Sequence, residues 1–209
     1  MSDRLRPPPS RGRVTLALTF GFVLAYRLEQ NVAYALGISP RRLVTLDTFP
    51  ANALTQVFAP LLHASGDHLV GTLVWVVPFG YFLERRRPWQ DYVGFVVVAG
   101  FLTTTLAPVL FVVLGAAPGL GIGGSGVAHA LVGREATARL RSLPRWRSLT
   151  RVEWGIAAVA TVGLVVSLLG LVDPSAGTSV VGHATGLLVG VAAGIGERYV
   201  SVTPDRSVE

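Results

Sequence analysis

Ser125 lies in the run Gly123-Gly124-Ser125-Gly126 at the head of an apolar stretch, and His183 lies alone inside another apolar stretch 58 residues later. A serine hydroxyl is a weak nucleophile until a neighbouring base takes its proton, and imidazole suits that task near neutral pH. The flanking glycines let the chain turn tightly and let another backbone approach closely. A serine opening a helix also has free amide donors beside it. Gly124 and these amides, at the positive end of the helix dipole, are the expected binding site for an oxyanion formed when Ser125 attacks a carbonyl. The chemistry these residues could do is nucleophilic hydrolysis, with Ser125 as nucleophile and His183 as general base. Asp173 lies ten residues before His183 in a loop, so no carboxylate has an obvious third role, and a Ser-His dyad is expected rather than a triad.

Each signal is weak alone. A GxSG run is more often a turn or a tight helix contact, and glycines at four-residue spacing are more often plain packing. Their agreement carries the argument. Gly186, Gly190 and Gly194 stand 3, 7 and 11 residues beyond His183, on the histidine's own helix face. If the smooth face they make packs against the helix that starts at Ser125, the imidazole can reach the hydroxyl.

The elements that must position these groups are membrane helices. The chain has 209 residues, 51% hydrophobic and 14% charged, with a mean hydropathy of +0.54. A soluble domain carries about 25% charged residues. There is no cysteine, which excludes a disulfide framework, a thiol nucleophile and a Cys-zinc site. The net charge of +6 comes from arginine alone on the basic side, clustered between apolar segments. That pattern encodes topology, and no nucleic-acid partner is expected.

A span needs about 20 mostly apolar residues. Six are expected, near 14–36, 67–83, 93–114, a fourth that starts at Ser125, 154–172 and 180–195. Fifteen arginines then fall on one side of the membrane, against Arg41 and Arg42 on the other and Arg27 within the first span. This bias places both termini in the cytoplasm and the loops 37–66, 115–124 and 173–179 outside. The expected organisation is a cytoplasmic tail (1–13), a six-helix membrane domain (14–196) and a second cytoplasmic tail (197–209). Ala33-Tyr34-Ala35 after a basic start leaves a cleaved signal peptide as an alternative for the first span.

Two segments break the simple pattern. The apolar stretch 51–62 is too short to span and is expected to be re-entrant or interfacial. The fourth helix meets Arg134 after nine residues, about 13 Å of helix. Ser125 is therefore expected to sit deep, with 115–124 descending to it as irregular backbone, which is tolerated at depth only beside protein or a watery cavity. His63 and His68 flank the start of the second span, as interfacial anchors or as lining of the same cavity. A metal site would need these with His129 and His183, but the five-residue spacing of the first pair lacks a helical zinc signature, so no metal or cofactor is expected.

The pieces HASGDHLVGTLVWVVPFGYFLE (63–84), GIGGSGVAHALVG (121–133) and GHATGLLVG (182–190) together resemble the rhomboid family of intramembrane serine proteases. The resemblance covers about residues 61–194. It implies an all-α, polytopic, six-transmembrane-helix bundle with a short fourth helix that starts at the nucleophile Ser125, and His183 as general base. It implies that His68 helps bind the oxyanion, that 38–62 dips into the membrane, and that Glu84 is a structural acid at the inner end of the second helix. Gly186 and Gly190 match close-packing positions beside the histidine. Two positions depart from the pattern. Thr72 stands where the family commonly has asparagine as a second oxyanion donor. His129 stands where an aromatic residue usually stacks on the catalytic imidazole, and it could pack in the same way or act as a pH-sensitive neighbour.

The expected function is an intramembrane serine endopeptidase acting on transmembrane protein substrates at the cell membrane among membrane lipids, as a monomer. The alternatives are a catalytically inactive rhomboid-like protein that binds or escorts membrane helices, and a small transporter whose Ser, His and Thr residues line a pore.

Overall fold

The computed structural model describes residues 12–39, 58–113, 123–141, 150–172 and 179–197, without the side chains at 108, 111 and 112. Among these, six helical rods and no strand occur. Helix α1 is Arg13–Leu36. A 3₁₀ turn, Ala59–Leu61, precedes α2, Gly66–Glu84. Rod α3 has three parts, α-helical Trp89–Phe101, a π segment Leu102–Leu106 and α-helical Ala107–Val113. Then follow α4, Ser125–Leu140, α5, Arg151–Val172, and α6, Val180–Gly196. The expected positions agree to within a few residues, because long apolar runs fix where helices lie. Most of the expected dipping segment 38–62 and of the two tails, the descent before Gly123, Asp173, Arg41 and Arg42 lie outside the described residues.

Helix α4 starts at Ser125 as expected but does not stop at Arg134, and its sixteen residues make it the shortest of the six rods. It continues because its C-terminal half pairs its charges. Arg134 binds Glu197, and Glu135 accepts from Arg86 at 2.6 Å and from Arg139 at 3.0 Å. Buried charges persist when they are paired and hydrogen-bonded. Apart from Ser125 and His129, the N-terminal half is apolar and occupies the centre of the bundle, with Val127, Leu131 and Val132 in the same core as Phe22, Val76, Phe79 and Tyr92.

Glu84, at the C-terminal end of α2, caps α1. Gly12 offers no capping side chain, and the Glu84 carboxylate instead accepts from the amides of Val14 (3.0 Å) and Thr15 (2.8 Å) and from the Thr15 hydroxyl (2.7 Å). A carboxylate at a helix N-terminus satisfies orphan amides and complements the dipole. Arg27 and Glu29 do not pair: Arg27 is exposed, while buried Glu29 accepts the His63 amide at 2.9 Å.

Helices α4 and α6 run parallel along a backbone seam. A Cβ on Gly186, Gly190 or Gly194 would strike the carbonyl of Gly126, Ala130 or Arg134 respectively. The row of small residues permits this approach. Rod α3 holds the N-terminal ends of both helices. Its Thr103 side chain presses on Gly126, and its Thr103 carbonyl lies 3.2 Å from where a Gly182 Cβ would be. The π segment that presents Thr103 lies just before Pro108, which has no amide to give the carbonyl of residue 104.

The outward faces are apolar. On α1, Leu16, Phe20, Leu24 and Leu28 are exposed at four-residue spacing, and on α5 Val159, Val162, Val166 and Leu169 are exposed. Helix α5 is long and apolar enough to cross a bilayer, and only 22% of its apolar window is buried in protein. Apolar surface on this scale fits lipid rather than water.

Candidate active site

Both candidate residues sit at the N-terminal ends of the two parallel helices. Ser125 is the first residue of α4. His183 lies in the first turn of α6, where Ser179 caps the helix by accepting from Gly182 N–H at 3.2 Å. With the Gly186–Gly126 contact holding the seam closed, His183 Nε2 comes to 2.9 Å from Ser125 Oγ. In the Nδ1–H tautomer the ring accepts the hydroxyl hydrogen bond, which is the arrangement a general base requires. Among the described residues no carboxylate hydrogen-bonds this imidazole.

His129 lies one turn after Ser125. Its Nδ1 is 2.7 Å from the Ser125 carbonyl oxygen, and since a carbonyl only accepts, Nδ1 carries the proton and donates. The ring lies on that of His183 with centroids 4.0 Å apart and an interplanar angle of 15°. The stack leaves the His183 ring little freedom to rotate away from Ser125.

The turn into α4 is built from glycine for steric reasons. Gly123 has φ +104°, in the left-handed region. A Cβ there would run into the His68 ring, and one on Gly124 would meet the Phe22 ring at 2.7 Å. The Gly123 amide donates to the Ala59 carbonyl at 2.9 Å, tying this turn to the 3₁₀ segment. The intrahelical ladder of α4 begins with Ala128 N–H to the Gly124 carbonyl, 2.9 Å. The amides of Ser125, Gly126 and Val127 therefore have no acceptor within the helix. A helix dipole and free amides at this point favour negative charge.

His68 and Thr72 lie on α2 across from Ser125. The His68 amide takes the Ser65 side chain as its N-cap partner at 3.1 Å, and the His68 ring packs edge-on against that of His63 at 5.3 Å. Thr72 is unusual among the helix threonines. The hydroxyls of Thr19, Thr103, Thr104 and Thr161 each donate back to the carbonyl four residues earlier, the usual choice for a helical threonine. The Thr72 hydroxyl is buried and has no partner.

Ser125, His129, His183, His68 and Thr72 line one cavity of about 430 Å³, whose remaining wall is Gly71 and Trp75 of α2, Ala128 of α4, and Val166, Ser167 and Gly170 of α5. His63 is fully buried behind His68 and does not line it. Gly186 and Gly190 act from the seam, not from the cavity. The α5 wall did not emerge from the sequence, although Ser167, a lone hydroxyl in an apolar run, was the signal that could have shown it.

A helical membrane protein with a hydroxyl and an imidazole in hydrogen-bond contact at a cavity is the class this fold and site define. The Rhomboid domain family model matches residues 50–199, and the chain belongs to the rhomboid family. Compared with the curated proteins, it matches none.

Proposed function

We propose that this rhomboid is an intramembrane serine endopeptidase that cleaves transmembrane proteins in or beside their membrane segments, and the 2.9 Å approach of His183 Nε2 to Ser125 Oγ inside a cavity is the observation that carries it. It works as a monomer in the cell membrane, with six spans and both termini in the cytoplasm, so the cavity faces outward. Arginine bias supports that orientation.

Ser125 Oγ attacks the substrate carbonyl while His183 Nε2 takes its proton. The negative charge that develops on the carbonyl oxygen is met by the amides at the start of α4, about Gly124 and Ser125, by the His68 ring and by the Thr72 hydroxyl. The tetrahedral adduct collapses, the C–N bond breaks, and His183 returns the proton to the leaving amine. Water then attacks the acyl-serine with His183 again as base, releasing the new carboxyl terminus and regenerating the hydroxyl. No cofactor takes part. His129 supports the His183 ring, and Gly186 and Gly190 keep α6 against α4. Transmembrane substrates would pass between α2 and α5, both of which line the cavity.

Labelling with a serine-directed fluorophosphonate tests this. The protein should label, Ser125→Ala should abolish labelling, and His183→Ala should reduce it sharply. A protein that binds membrane helices without turnover, the reading that Thr72 favours, would co-purify with them and never label.

A further inference from the structure

Beyond the Ser125–His183 bond and the His129 stack at one end, the seam between α4 and α6 has almost no axial landmark. The α6 face against α4 and α3 is glycine at four-residue spacing throughout, with Gly182 on the Thr103 carbonyl, Gly186 on Gly126, Gly190 on Ala130 and Gly194 on Arg134. Sliding α6 outward by one turn would put Gly186 where Gly182 was, Gly190 on Gly126 and Gly194 on Ala130. Each glycine would again meet a backbone carbonyl, yet His183 would have moved about 6 Å along the axis, away from Ser125. Close packing of small residues tells two such registers apart weakly. Helix pairs with a repeating apolar interface take their register from polar contacts placed at one point.

Apart from the Ser125–His183 bond itself, those contacts lie at the inner end. Glu197, the residue after α6, accepts from Arg134 of α4 and pairs with Arg87 of the α2–α3 connection at 3.5 Å. Arg134 is itself held over the Phe95 ring of α3 at 4.4 Å. Arg141 of α4 reaches the carbonyls that end α6, those of Gly194 (3.4 Å), Ile195 and Glu197 (3.3 Å), where a cation also complements the helix dipole. A one-turn slide would break all of these at once.

We infer that this clasp sets the axial register of α6 on α4, and that Glu197 is a positioning residue for the Ser125–His183 pair from about 21 Å along the helix. The register claim stands on the helix contacts alone, while its consequence for turnover rests on the protease reading.

The chain has no cysteine, so spin labels can be placed cleanly on the full protein in phosphatidylcholine nanodiscs. Leu16→Cys at the inner end of α1 and Leu188→Cys at mid-depth on α6 suit this, since the native leucines are 68% and 69% exposed. Double electron–electron resonance should give one distance population with Glu197 intact. Glu197→Gln should add a second, several ångströms away, and Glu197→Asp should return most molecules to the first. Turnover of a transmembrane peptide per fluorophosphonate-titrated site should fall about fivefold or more in Glu197→Gln with KM within twofold, since small misplacements of catalytic groups are costly. An unchanged distance distribution in Glu197→Gln overturns the proposal, as does a loss of turnover that only mirrors the loss of titratable sites. Should Glu197→Gln not fold, Arg87→Gln takes its place, with a partial second population expected and unchanged distances overturning the idea. A parent protein that never labels defeats the protease reading and leaves the distance result to stand by itself.

Discussion

The imidazole of His129 lies nearly parallel to that of His183, 4.0 Å away, while its Nδ1–H is committed to the Ser125 carbonyl. The ring therefore works as a plate that fixes the plane of the neighbouring imidazole. His129→Phe keeps the plate and should retain most peptide turnover. His129→Ala removes it, frees the His183 ring and should lower kcat by ~10-fold or more. A His129→Phe variant as inactive as His129→Ala would mean that the nitrogen atoms, not the ring face, matter.

Thr72 separates stability from activity. Its hydroxyl is buried without a partner, so Thr72→Val, of nearly the same shape, removes an unsatisfied group and should raise folding stability by about 1 kcal/mol. The same change deletes an oxyanion donor and should cut kcat by ~10- to 100-fold. Thermal melting and turnover should thus move in opposite directions. A variant with unchanged turnover would remove Thr72 from the oxyanion site.

Gly190 tests the seam. A Cβ at this position would collide with the Ala130 carbonyl and the Arg134 amide, both backbone and unable to step aside. Gly190→Ala should destabilise the protein by about 1–3 kcal/mol and should reduce fluorophosphonate labelling even in molecules that remain folded. Gly155 of α5, with open space around it, is the control, and Gly155→Ala should leave labelling unchanged.

Glu84 is expected to matter for folding alone. Replacing it with alanine strips the carboxylate from two α1 amides and the Thr15 hydroxyl, at a cost of about 2–3 kcal/mol. The melting temperature should fall, and turnover per titrated site should not.

His63, in the connection ahead of α2, has its pKa lowered from 6.5 to about 4, by burial first and then by the neighbouring His68. Above pH 6.5 the residue is neutral in both folded and unfolded chains. As pH falls from 6.5 toward about 4 the unfolded chain takes up a proton that the folded protein refuses, so stability drops across that window and levels off below it. Melting temperatures measured through this range should show the decline, and His63→Phe should make it shallower.

Apolar runs located most of the helices to within a few residues, and among the described residues α5 is the one helix both long and apolar enough to cross a bilayer. The glycines around Ser125 marked where α4 begins, and the four-residue glycine row on α6 marked a face that could lie against backbone. What a helical period cannot say is which neighbour a face meets, because lipid-facing and helix-facing apolar surfaces are chemically alike. Only the tertiary structure set the α6 glycines on α4, brought His183 to Ser125 and gave the cavity its α5 wall. It alone also assigned the acids. Glu29 takes the His63 amide rather than Arg27, Glu84 caps a helix 69 residues away in sequence, and Glu197 holds Arg134 across 63. A buried charge finds its partner through space, and sequence distance carries no record of that choice.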